Sequence, residues 1–309
     1  MGKGLCFRVI RVIRVIRGSG KLVGWQGHAH GASAYALIDA RRKRRLGGDA
    51  SPLFPFSTCK RGFRGTILRM DNIRIDHGSV RMVAHRGLSA LERENTCAAF
   101  VAAGVRTYFG IETDVHVTAD GKYLICHDHD LKRVSGGVEL NIEANKFDLL
   151  QSVPLLDTDG VSYRSDLFPP ALEDYVLICR KYGKESVLEL KGLIEEKHIA
   201  GILGTVRDLG HLDRTTFISF SRENLVSLRK LCPEAKMQFL DSKFTSDVLD
   251  FMKLYRAGAD LSWKCVTKEA VDAVHAERLE FNVWTVDDPA VAAQMVGFGV
   301  DYITSNVLE

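Results

Sequence analysis

From residue 81 onward, short runs of β-branched and apolar residues alternate with longer stretches whose apolar positions recur at helical spacing. This pattern predicts a parallel sheet covered by helices. Eight runs read as strands: 81–84, 108–117, 186–190, 215–219 with Phe220 continuing, 236–240, 259–262, 281–286 and 301–304. Helical patterns fill most intervals, at 95–103, 172–182, 195–209, 223–231, 246–256, 268–276 and 289–298. Pro289 falls just inside the first turn of the last of these, with Asp287 or Asp288 as its cap. The rhythm breaks between 122 and 170. Asp120-Gly121 there reads as a hairpin turn into YLIC, followed by Gly136-Gly137 and loop-rich sequence, so a small excursion is expected after the second strand. Eight parallel strands in roughly 230 residues predict an α/β fold, a (β/α)8 barrel of TIM type, with an open doubly wound sheet as the rival.

Polar residues interrupt this pattern in an informative way. On the strand 109–117, Ile111, Thr113, Val115 and Val117 share one face, and Glu112, Asp114 and His116 share the other. If the apolar face meets the helices, two carboxylates point into the barrel or its mouth, where an uncompensated charge is costly to desolvate. The strand SVLELK repeats the arrangement, with Leu188 and Leu190 outward and Glu189 and Lys191 inward. Three oxygen donors from two strands suit a hard divalent cation such as Mg²⁺ or Ca²⁺ better than zinc. His85 follows the first strand directly and His127 follows YLIC, so both sit at strand C-terminal ends, the barrel face that carries catalysis.

The charge divides the chain. Residues 1–69 hold 15 Lys and Arg against 2 Asp and Glu, whereas the remainder holds 27 against 37. A V-I-R triplet repeated from Val9 to Arg17 matches neither helical nor strand periodicity, and RRKRR at 41–45 is followed by Gly/Pro/Ser-rich sequence. Residues 1–69 are therefore expected to be a basic, disordered extension to a barrel domain at 70–309, with Met70 a candidate start of the native product. Such an arm could attract anionic lipid or nucleic acid, but no aromatic interleaving accompanies it and no nucleic-acid partner is expected. The seven cysteines form no C-x-x-C pair, which points away from a disulfide framework or zinc knuckle and towards a reducing, cytoplasmic setting. No run of 18 apolar residues predicts a membrane-spanning helix.

The stretches AHRGLSALERENT and GIETDVHVTADGKYLICHDHDLKR carry H-R-G, E-N-T, E-x-D-V-x-x-T-x-D-G and H-D-x-x-L-x-R in order. With LELK at 188–191 and WTVDD at 284–288, residues 80–309 resemble the glycerophosphodiester phosphodiesterase family. The resemblance implies His85 and His127 as catalytic histidines and Glu112, Asp114 and Glu189 as ligands of a divalent metal. It implies Arg86 and Lys191 as phosphate-contacting cations, Glu94 and Asn95 near the metal or supporting His85, and Phe220 and Trp284 lining the substrate's glycerol or alcohol pocket. His116 falls where the family varies, and Asp128 either orients His127 or caps the next turn. Arg93 replaces the proline usual before E-N-T, and ITSN near the C-terminus lacks the family's aspartate and proline. The implied reaction is metal-dependent hydrolysis of a small-molecule glycerophosphodiester. The alternatives are a relative acting on lysophospholipids and a non-catalytic barrel binding polyanions through the basic arm.

Overall fold

The computed structural model describes residues 72–309; the readings made for the basic segment at 1–69 and for Met70 lie outside the described residues. Eight strands form one closed parallel ring: β1 (Arg81–Ala84), β2 (Gly110–Val117), β4 (Glu185–Leu190), β5 (Thr215–Ser219), β6 (Lys236–Asp241), β7 (Gly258–Ser262), β8 (Phe281–Trp284) and β9 (Tyr302–Ser305). Each pairs in parallel with the next, and β9 returns to β1 with Arg81 opposite Tyr302 and Ala84 opposite Ser305. The open-sheet rival is thereby excluded.

The remaining strand, β3 (Tyr123–Ile125), runs antiparallel to the far end of β2, pairing Val117 with Tyr123 and Val115 with Ile125. It opens the expected excursion, which contains the short helices α2 (Lys132–Ser135) and α3 (Phe147–Gln151). This segment has an apolar core of its own, including Leu124, Leu131, Ile142, Leu150 and Leu167, each fully buried. Residue alternation along the barrel strands divides the rest of the apolar surface into two layers. Val83, Val187, Ile218, Leu240 and Tyr302 fill the barrel. Ile111, Val115, Leu188 and Leu190 face outward, against helices such as α4 (Leu172–Tyr182), whose Tyr175 hydroxyl donates to the Ile111 carbonyl at 2.6 Å.

Local chemistry sets the element ends. The helix α1 (Cys97–Gly104) begins two residues later than its apolar pattern predicts, because Thr96 is the N-cap and accepts from the Ala99 amide. Asn95 is thus left outside the helix, in the left-handed region at φ 54°. Of the two candidate caps before α9 (Pro289–Phe298), Asp288 serves, accepting from Ala290 at 2.7 Å. Asp287 is free for another task. Among the described residues, no helix is long and apolar enough to cross a membrane.

Candidate active site

The site lies at the C-terminal rim of the barrel, where β1, β2, β3 and β4 end. Strand alternation brings Glu112 and Asp114 from β2 and Glu189 from β4 inward, and their register places Asp114 directly beside Glu189. One carboxylate oxygen from each of the three falls within 4.8 Å of the others. All three are buried, at 3%, 1% and 7% exposure.

Two cations enter this cluster. Lys191 Nζ lies 2.9 Å from Glu189 Oε1 and 3.4 Å from Asp114 Oδ1. Arg86 Nε lies 3.5 Å from Asp114 Oδ2, while the Arg86 backbone N–H donates to Glu112 Oε2 at 2.7 Å. That donor is aimed by an uncommon backbone conformation, since Arg86 adopts φ 56°, a left-handed geometry that side-chain-bearing residues seldom take. The neighbouring Asn95 is left-handed too, and its amide nitrogen donates to Asp114 Oδ2 at 2.7 Å while its amide oxygen accepts from Thr113 Oγ1.

The electrostatics leave the acids short of positive charge. Burial, reinforced by Asp114, pushes Glu112 well above the carboxylate range and raises Glu189 to about 8. Burial also works against the charged form of Asp114, but Lys191 and Arg86 outweigh it and hold that carboxyl below its ordinary value. Both cations are raised in turn, because attraction to these acids exceeds the cost of their own burial. Glu112 and Glu189 thus lack the nearby positive charge that would hold them ionised, and a cation placed among the three would supply it. The donor set, all oxygen and closely spaced, fits a divalent cation.

Both histidines flank the cluster. His85 Nε2 lies 4.0 Å from Glu112 Oε2, and its Nδ1 contacts Asn306 Oδ1 at 2.8 Å. The tautomer follows from the next bond: Asn306 donates its amide N–H to Asp287 Oδ2 at 2.6 Å, so its oxygen faces His85 and Nδ1 carries the proton. Burial, together with the charge of Arg86, lowers His85 to about 4, leaving it neutral with an electron pair on Nε2. His127 Nδ1 hydrogen-bonds Asp128 Oδ1 at 2.7 Å, and Asp128 Oδ2 accepts from Arg133 Nε at 2.7 Å. His127 also lies below its ordinary value, through burial and despite the attraction of Asp114.

The predicted polar residues therefore gather. Phe220 and Trp284 stand outside the hydrogen-bonded network and pack edge to face with ring centres 5.7 Å apart, Phe220 half exposed. Glu94 has both oxygens engaged, by Arg86 at 2.9 Å and by Arg133 at 2.8 Å, so it braces cations instead of presenting a free carboxylate. Sequence reasoning missed Asn306, Asp287 and Arg133 as supports. Arg133 is the final residue of H-D-x-x-L-x-R and Asp287 belongs to WTVDD, so a signal existed for both; Asn306 stands 221 positions from His85, with no spacing rule to connect them. Arg93 clamps the excursion, its guanidinium donating to the Leu156 carbonyl at 2.5 Å and to that of Asp157. A cavity of about 430 Å³ opens beside Lys191, bounded by Glu143, Leu193 and His198.

The sequence and the barrel fold both have counterparts among known proteins. A glycerophosphodiester phosphodiesterase of Bacillus subtilis is 26% identical over 253 residues, covering 72% of this chain and 82% of its own. One from Caldanaerobacter subterraneus is 25% identical, covering 73% of this chain and 93% of its own. Among solved structures, an Oleispira antarctica phosphodiesterase in complex with the product sn-glycerol-3-phosphate superposes with a TM-score of 0.67 at 24% identity, over 74% of this chain and 93% of that one. A protein from Silicibacter pomeroyi gives 0.68 at 22% identity, over 74% and 90% respectively. The sequence profile of the Glycerophosphoryl diester phosphodiesterase family matches residues 85–309, most of the chain and every residue of the site described above. The chain belongs to that family and is a phosphoric diester hydrolase.

Proposed function

We propose that this chain hydrolyses glycerophosphodiesters to glycerol 3-phosphate and an alcohol, with a divalent metal and two histidines. The observation that carries the reading is the meeting of three buried carboxylates, from two neighbouring strands, with two imidazoles and two cations at one barrel rim. A phosphodiester is anionic and resists attack, so the site must neutralise charge, accept the nucleophile's proton and return a proton to the leaving alkoxide. A Mg²⁺ or Ca²⁺ ion on Glu112, Asp114 and Glu189 supplies Lewis-acid neutralisation when bound. Arg86 and Lys191 add fixed positive charge for the phosphoryl oxygens, a contribution of several kcal/mol.

His85, fixed by Asn306 with its proton on Nδ1 and an electron pair on Nε2, is suited to accept the nucleophile's proton, the role of a general base. His127, whose imidazolium the Asp128 carboxylate would stabilise, returns a proton to the leaving alkoxide. Each transfer is worth roughly 10²- to 10⁴-fold. Phe220 and Trp284 offer an apolar edge to the alcohol or glycerol portion. The five cysteines of the described residues are all free, which supports a reducing, cytoplasmic setting.

Turnover of glycerophosphocholine and of lysophosphatidylcholine, each in Mg²⁺, Ca²⁺ and EDTA, tests the proposal. Metal-dependent release of glycerol 3-phosphate from glycerophosphocholine is expected. Equal rates in EDTA would remove the metal from the mechanism, and turnover of the lyso-lipid alone would reassign the substrate.

A further inference from the structure

We propose that His116, His129 and Glu143 bind a second metal ion, of the zinc class, beside the all-oxygen cluster and separate from it. His116 occupies the same inward face of β2 as Glu112 and Asp114, one step nearer the rim, about 7 Å beyond Asp114 along the strand. It is 1% exposed. Its Nε2 lies 3.3 Å from the backbone oxygen of His127, and because a carbonyl only accepts, Nε2 carries the proton and the electron pair is left on Nδ1. That Nδ1 is buried without a hydrogen-bond partner.

The other two ligands are brought up by backbone pairing in the excursion. Asp130 and Asn141 form an antiparallel bridge, and the Ile142 N–H donates to the His129 carbonyl at 2.9 Å, which fixes His129 and Glu143 across a short ribbon from one another. Gly192 closes the remaining side, since a Cβ added there would lie 3.8 Å from His129 Cε1 and 3.9 Å from Glu143 Oε1. The imidazoles of His116 and His129 meet edge to face, 5.4 Å between ring centres. One ligand atom from each of the three side chains lies within 4.8 Å of the others.

Two imidazoles and one carboxylate are the donor set of zinc and its neighbours with one position left open, whereas Mg²⁺ and Ca²⁺ prefer the oxygen-only cluster. His116 would donate its other ring N–H to a backbone carbonyl, the outer support that zinc-bound histidines usually have. Neither His129 nor Glu143 takes part in the hydrolytic mechanism, and both are exposed, so removing them leaves the core intact.

The test uses the full chain saturated with Mg²⁺ and titrated with Zn²⁺ against a chromophoric chelator, in parallel with H129A, E143A and the volume-conserving E143Q. The wild type is expected to hold one zinc more than each variant at a Kd below about 10 µM, or to bind it at least about tenfold more tightly. Subtracting variant from wild type cancels zinc held elsewhere on the chain. X-ray absorption at the zinc edge should show imidazole scattering that H129A diminishes. Equal stoichiometry and affinity in all four proteins, or a zinc shell of sulfur alone, would overturn the proposal. The readout is independent of catalysis, so it stands or falls apart from the hydrolytic assignment.

Discussion

The two ends of the barrel are both lined with charge, yet they use it differently. At the N-terminal end Arg81 stacks on Tyr302, 3.7 Å from the ring centre, and pairs with Glu280 at 2.8 Å. Glu185 is met there by Arg214 at 2.8 Å and Lys236 at 3.5 Å. Every acid of that group has a cation, and most of the side chains keep contact with water, Glu280 and Lys236 being 50% and 54% exposed. At the C-terminal rim the acids are sealed from solvent and outnumber the cations that touch them. The number of charges is similar; what separates a plug from a reaction site is burial without full compensation. The cavity of about 130 Å³ at the N-terminal end, lined by Arg81, Glu185 and Lys236, is therefore a packing feature of the balanced end.

Mutations at the two ends should separate sharply. H127A or H85A is expected to lower kcat by about 10²- to 10⁴-fold with little change in melting temperature; near-normal turnover in either would dissolve the distinction between the ends. E189Q should cost about 10²- to 10³-fold in activity, and the rise in melting temperature expected for the wild type in Mg²⁺ or Ca²⁺ should be absent from it. A thermal shift that survives E189Q would place the ion elsewhere. N306A frees the His85 ring, with an expected loss of about tenfold in kcat; a kcat equal to that of the wild type would show that the ring is held by something else.

A pH series sharpens the same contrast through Glu94. Burial disfavours its charge, but Arg133 and Arg86 prevail and hold it down to about 2, from an ordinary 4.5. Because the folded-state value is depressed, the stability this carboxylate contributes is fully present above about 4.5 and disappears as pH falls through about 2. E94Q should therefore be less stable than wild type by about 2 kcal/mol at neutral pH, and the gap should close on acidification in that window; a gap independent of pH would mean that packing, not charge, is lost. The smallest effect is expected at the opposite end, where R81A should cost about 1 kcal/mol of stability and leave turnover unchanged.

The barrel was legible because its strands and helices carry period and length unambiguously: all eight ring strands and the hairpin after β2 lie where the hydrophobic pattern puts them, to within two residues. The inward acids were legible for the same reason, since alternation on β2 and β4 dictates their side of the sheet. The supports were harder to see. Asn306 reaches His85 only because β9 closes the ring against β1, a contact that depends on the tertiary fold and on no local rule. Asp287 and Asp288 are indistinguishable as helix caps until one of them is claimed by Asn306. Asn95 fell inside a helical pattern, and only the competition from Thr96 as cap shows it to be a left-handed hinge residue gripping Asp114. Arg93, a departure from the family pattern, gains its meaning from the Leu156 carbonyl on the other side of the excursion.

The separate apolar nucleus of the excursion means that the enzyme's two imidazoles rest on foundations of unequal strength. His85 is anchored where the ring closes on itself, whereas His127 rides on a smaller satellite held by an apolar nucleus of its own. Gentle warming would thus loosen the satellite before the ring, silencing the catalyst while its circular dichroism still reads as native.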